Sequence, residues 1–219
     1  MPAWRRATEG ETRWPAAVVV LGTLGLQLAL PDRVVLEPWW LLPVVSVLLL
    51  VALLLINPGR MGEFSKVERI VSLVLLAVVS VTTAALAVRL VLGIVHGSFS
   101  GHAPQVLVSG AIVYWTNIVV FSLWYWEFDR GGPARRAIGR SEYPDLQFPQ
   151  MDSPDLARAD WEPKYADYLY LSFTNSTAFS PTDVMPMRIW TKLTMMVQAA
   201  VSLVLAVMVF AWAVGALRG

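Results

Sequence analysis

The chain is 219 residues long, 56% hydrophobic and only 15% charged, with no cysteine and a formal net charge of +1. A soluble domain carries about a quarter charged residues, so this composition argues against a soluble single-domain enzyme. The absence of Cys removes disulfides, thiol nucleophiles and Cys-ligated zinc or iron–sulfur clusters, two histidines leave little for a transition metal, and near-zero charge provides no basic face for nucleic acid.

Five apolar runs follow in chain order, at residues 16–30, 39–56, 70–95, 104–126 and 190–216. Crossing about 30 Å of hydrocarbon takes about 20 apolar residues, and the last four runs meet that length. The first, between Pro15 and Pro31, is short: it spans with the help of Trp14, or it forms a shallow hairpin with the second. With no small-residue cleavage site and a second apolar run close behind, it reads as retained rather than as a removed signal. Trp39, Trp40, Trp124, Trp126, Trp190 and Trp212 sit near run ends, where amphipathic rings favour the membrane interface.

The connecting segments carry an uneven charge. Arg5, Arg6 and Arg13 precede the first run, Arg60, Lys66 and Arg69 lie at 57–69, and Arg130, Arg135, Arg136, Arg140, Arg158 and Lys164 lie at 127–165. The 31–38 segment has only Arg33 and the 96–103 segment has no Lys or Arg. The positive-inside rule therefore predicts a cytoplasmic N-terminus, a cytoplasmic 127–165 segment and an outer C-terminus. Arg89 falls inside the third run, two turns from its end, where its long side chain can reach the interface. These features divide the chain into a four-span region at 1–126, a hydrophilic loop at 127–165, and a final unit at 166–219. The loop, rich in Pro, Gly, Asp and Arg, shows no helical or strand period beyond a turn at 153–159.

The final unit reads YLYLSFTNSTAFSPTDVMP from Tyr168, then continues into a long apolar run. An amphipathic stretch too short to span, a polar break with Pro181 and Pro186, and a full span suit a re-entrant half-helix, because irregular backbone at membrane depth requires protein or a watery cavity around it. The segment resembles the pore region of tetrameric potassium-type channels, S-[LF]-T-T-x-T-T-V-G-Y-G-D-x-x-P. Ser172, Thr174, Thr177, Asp183 and Pro186 match that pattern, Lys192 falls at a common basic position, and Ser202 falls at the hinge glycine. The filter itself becomes Ala178, Phe179, Ser180, Pro181 and Thr182. Stacked carbonyl rings need backbone angles that glycine permits and that Ser180, Pro181 and Thr182 disfavour, so no potassium-selective filter is expected. The resemblance implies a pore lined by residues 177–183 and by Gln198 and Ser202 on the last helix, assembled around an axis as a tetramer.

A second resemblance covers more of the chain. FSLWYWEFDRGGP, LQFPQ and DYLYLSFTNSTAFSPTD resemble segments of a widespread family of small bacterial integral membrane proteins without an assigned activity. Arg predominates over Lys, a compositional hint of a GC-rich bacterial genome. The channel pattern and the charge rule conflict, because channels of that type place the pore loop outside. Either the loop is inverted, as in glutamate receptors, or the acids of 127–165 form an outer vestibule that concentrates cations.

Other chemistry weighs less. The loop acids, from Glu127 and Asp129 to Asp160 and Glu162, have no EF-hand spacing and more often pair with arginines than bind calcium. His96 and His102 flank a Gly/Ser-rich turn with no further ligand in view, and no Gly-x-Ser-x-Gly elbow accompanies Ser172, Thr174 or Ser176. Asn117 and Gln198 sit inside spans, where they face a water path or bond to neighbouring helices. Asp183 is either a helix cap or turn residue or the acid at a pore mouth. The expectation is an all-α integral protein of a bacterial inner membrane, with five spans and a half-helix, no enzyme activity, no cofactor and no metal. It is expected to be a homo-oligomer in the bilayer: a weak, non-potassium-selective cation path, or a non-conducting accessory or scaffold for a membrane partner.

Overall fold

A computed structural model describes residues 3–32, 34–99, 103–139, 143–178 and 183–216. It is helical almost throughout. The long helices are α1 (Trp14–Gln27), α2 (Leu41–Ile56), α3 (Lys66–Val95), α4 (Ala103–Phe128), α7 (Tyr165–Ala178) and α8 (Ile189–Ala216). Between α4 and α7 lie two short helices, α5 (Pro133–Ala137) and α6 (Pro149–Asp152), and a strand β1 (Leu146–Gln147) that pairs antiparallel with β2 (Met185–Pro186).

Among the described residues, three helices, α3, α4 and α8, are long and apolar enough to cross a membrane, while α1 and α2 are apolar but have only 14 and 16 residues. Several hydroxyls within these helices bond back to their own backbone. Ser46 donates to Leu42 O, Thr82 to Val78 O and Thr83 to Val79 O, each at 2.8 Å. α3 opens with a Ser65-Lys66-Val67-Glu68 box in which the Ser65 hydroxyl accepts from the Glu68 N–H.

α4 is the central helix. Its most apolar stretch is 67% buried, against 39% for α3 and 22% for α8. α1, α3, α7 and α8 all pack on it. Gly110 lets α4 pack closely on α8: a Cβ there would lie 2.7 Å from Val209 Cγ2. The core falls into two clusters. One joins α1–α4, α7, β1 and the start of α8 around Trp126, Tyr125, Tyr165 and Tyr168. The other, at the opposite end, gathers Leu30, Val34, Leu86, Leu90, Phe99, Val106 and Leu205.

The segments that the charge rule assigns to one side do meet at one end of the bundle. Thr12 bridges to Arg60, Arg13 pairs with Glu68 at 2.6 Å, and Arg136 pairs with Glu11 at 3.2 Å. Arg89 reaches the carbonyl of Val35 at the other end, as a snorkelling side chain would. The 127–165 segment is held by contacts: after α4 the chain turns through Arg130 at φ 51°, and Gly132 at φ 101° leaves room for Arg69, whose Nη1 would lie 2.6 Å from an added Cβ.

Candidate functional site

α7 is positioned by two polar clusters, one at its entry and one along its buried face. At the entry, buried arginines and carboxylates alternate. Arg13 bonds Glu68 at 2.6 Å and Ser72 at 3.1 Å and lies 3.9 Å from Glu127. Arg69 pairs with the Glu127 carboxylate and donates to its carbonyl at 2.7 Å. Arg136 donates to Trp126 O at 2.6 Å and to Glu11. Glu11 also accepts from the Trp126 indole and from the Tyr165 N–H at 2.9 Å, so an N-terminal carboxylate holds the first residue of α7. Asp129, fully buried, accepts from the Tyr168 hydroxyl at 2.6 Å and from the N–H groups of Asp145 and Leu146. Burial raises the Glu11 carboxyl above its ordinary value, against the lowering pull of Arg136 and of the Trp126 and Tyr165 donors.

Along the buried face, Gln198 of α8 is the hub. Its Oε1 accepts from the Tyr125 hydroxyl at 2.6 Å and from Asn175 Nδ2 at 2.9 Å. Its Nε2 donates to Ser172 O at 2.9 Å, Ser172 Oγ at 2.6 Å and Ser176 Oγ at 2.8 Å. The amide thus uses both of its donors and its acceptor. Ser172 donates to Ile118 O at 2.6 Å, Tyr114 to Ser176 O at 2.5 Å, and Asn117 to Ser202 Oγ at 3.0 Å.

These partners also set direction. Tyr165 meets Ser122, Ser172 meets Ile118 and Ser176 meets Tyr114, so α7 runs antiparallel to α4 from the charged end and its last turn lies at mid-helix. Met185–Pro186 then pairs with β1 beside Asp129, and Arg188 pairs with Asp145 at 3.1 Å. α8 starts at this same end, with Trp190 near Phe128, and runs toward Val209 beside Gly110.

The residues singled out by the channel pattern divide into two groups. Gln198 and Ser202 are fully buried, and their hydrogen bonds close within one chain. Thr177, Ala178 and Asp183 are exposed, and the Thr177 hydroxyl bonds back to Phe173 O at 2.9 Å. Phe179, Ser180, Pro181 and Thr182 lie outside the described residues, as does His102. Asp183 does not cap α8, which begins only at Ile189 after β2; Thr191 closes that turn, accepting from Arg188 N and donating to Arg188 O. Asn117 takes the interhelical role. Several of the loop acids form bonds or pairs of their own, Asp145 with Arg188, Asp160 with Arg158 and Asp152 with Gln147.

Sequence reasoning missed the buried ion network. It expects the loop acids to pair with arginines of the loop but not that such pairs are buried and reach Arg13 and Arg69; the available signal is that every basic segment also carries an acid, at Glu11, Glu68, Glu127 and Asp129. Comparison with protein families, with curated proteins and with solved structures gives no match to this chain.

Proposed function

We propose that the chain is a multi-pass protein of a bacterial plasma membrane, with α1–α4 and α8 as five spans and α7 as a re-entrant half-helix. The entry of α7 and the position of β2 at one end of the bundle support this reading. The 14 residues of α7 rise about 21 Å, short of a bilayer's hydrocarbon thickness. The chain from Ala178 to Met185 reaches about 23 Å when extended, enough for a return to the same side. With the basic segments inside, the half-helix enters from the cytoplasm, as in an inverted pore loop. α1 and α2 cross by local thinning of the bilayer and by their interfacial tryptophans, of which Trp14, Trp39 and Trp40 are half-exposed.

The function we infer is that of a pore-loop protein, a weak monovalent cation path without potassium selectivity. Several copies, four in the simplest case, would bring their 177–183 segments around one axis. The observation that carries this is the exposure of Thr177, Ala178 and Asp183 at the tip and return of the half-helix, where a neighbouring copy can meet them. Reconstituted wild type should appear as a tetramer by native mass spectrometry and leak monovalent cations from vesicles, and Asp183→Asn should lower that leak. A monomer without leak would end the reading.

The closed Gln198 network favours a second reading. An inner helix that lines a watery path leaves polar side chains facing it, whereas Gln198 and Ser202 are consumed inside the chain. On that reading the protein is a non-conducting accessory or scaffold, and α7 is a structural plug. It predicts no leak in any oligomeric state.

A further inference from the structure

We propose that the cavity between the N-terminal turn and the start of α8 holds the phosphate headgroup of an anionic glycerophospholipid. The cavity, about 460 Å³, is lined by Trp4, Arg5, Tyr143, Gln147, Met187 and Arg188, among others. Its chemistry is donor-rich. Trp4 is only 7% exposed, and its indole Nε1 and the Arg5 Nε are buried away from the cavity, so the donors that face it are the terminal nitrogens of the two guanidiniums, Arg5 and Arg188. Arg5 stacks 4.6 Å from the Trp4 ring centroid and has no ion-pair partner among the described residues. The nearby carboxylates are engaged: Asp145 pairs with Arg188 and accepts from the Arg130 N–H at 2.7 Å, and Asp152 accepts from Gln147. A guanidinium without an ion-pair partner, beside a second one at the same cavity, calls for a ligand that brings negative charge and several acceptor oxygens.

The surroundings select a lipid over a free anion. Met187 is 52% exposed at the rim, and Ile189, Leu193 and Val197 continue an exposed apolar face down α8. A headgroup phosphate seated by Arg5 would lay its acyl chains along that face, whereas inorganic phosphate would leave it uncovered. The site lies at the end that gathers the basic segments, where anionic leaflets attract such clusters. The proposal does not require a pore and stands whether or not the protein conducts.

The test is native mass spectrometry of the full-length protein titrated with phosphatidylglycerol, with phosphatidylcholine of the same chains, and with inorganic phosphate. Wild type should retain phosphatidylglycerol over phosphatidylcholine, and Arg5→Gln should weaken that retention about fivefold, the worth of one arginine near an anionic headgroup. Arg188→Gln should weaken it as well, whereas Trp4→Phe, which keeps the ring beneath Arg5, and Arg158→Gln, on an exposed part of the loop, should leave it unchanged. An unchanged thermal midpoint in Arg5→Gln establishes that the loss is local. Equal retention of the two lipids, or an Arg5→Gln variant that binds as wild type, would overturn the proposal. Displacement of the lipid by equimolar inorganic phosphate would overturn the lipid as the source and leave a free-phosphate site.

Discussion

The Gln198 amide donates to both the carbonyl and the hydroxyl of Ser172, at 2.9 and 2.6 Å, and so ties the last helix to the middle of α7. Because Gln198 also accepts from Tyr125 and Asn175, one side chain joins α4, α7 and α8. Gln198→Leu would leave these groups buried without partners, at a cost of about 1–3 kcal/mol. The loss should appear in denaturant unfolding of detergent-solubilised protein. Met196→Leu, two residues away and 66% exposed, should stay within about 0.5 kcal/mol of wild type. Equal stability of the two variants would remove Gln198 from its central position.

Arg13 and Glu68 are both about 94% buried. Glu68→Ala should cost about 3–5 kcal/mol, because it leaves the Arg13 guanidinium buried with the neutral Ser72 hydroxyl and a carboxylate, Glu127, 3.9 Å away. The paired variant Arg13→Met/Glu68→Leu should cost less than the sum of its single changes, and additivity in that cycle would contradict the coupling.

The raised Glu11 carboxyl sets a pH dependence of known sign. In the unfolded chain Glu11 titrates near 4.5, and in the folded chain it titrates higher, so the folded state holds its proton longer. The stabilisation from this group is complete below the unfolded value and is lost as pH rises through the folded one. The melting temperature of wild type minus that of Glu11→Gln should therefore fall as pH rises from about 4.5 toward neutrality. A difference that grows with pH would reverse the assignment.

The α4–α8 contact depends on a missing side chain. A Cβ at Gly110 would lie 2.7 Å from Val209 Cγ2 and 3.0 Å from Cγ1, so Gly110→Ala should destabilise by about 1–3 kcal/mol through overpacking. Val209→Ala added to it should recover part of the loss. No loss in the single variant would show that the helices separate freely at this point.

The helices were legible because their signal is local. Each apolar run yields a helix within a few residues of its expected ends, and the short stretch from Tyr168 appears as α7, beginning at Tyr165. The grouping of Arg5, Arg60 and Arg136 at one end was legible for the same reason, since the charge rule sums over whole segments. What could not be read is pairing across distance. Nothing near Gln198 in sequence names Tyr125, and nothing near Glu11 names Tyr165, because those partners are chosen by the packing of α7 against α4. The pattern match placed Gln198 and Ser202 on the lining of a pore. It gave no means of weighing that place against a closed network, since a lining residue and an interhelical bond use the same side chains. Length, too, is a coarse measure: α1 and α2 have the composition of spans without the residue count.

Single-cysteine accessibility tests most directly whether the chain enters and leaves α7 at one side of the membrane, because it has no cysteine of its own. Glu63→Cys, Asp155→Cys and Met185→Cys, all exposed positions, should react with a membrane-impermeant maleimide from the same side, and Ser98→Cys from the other. Labelling of Met185→Cys from the side opposite to Asp155→Cys would make α7 a crossing helix and contradict the re-entrant arrangement.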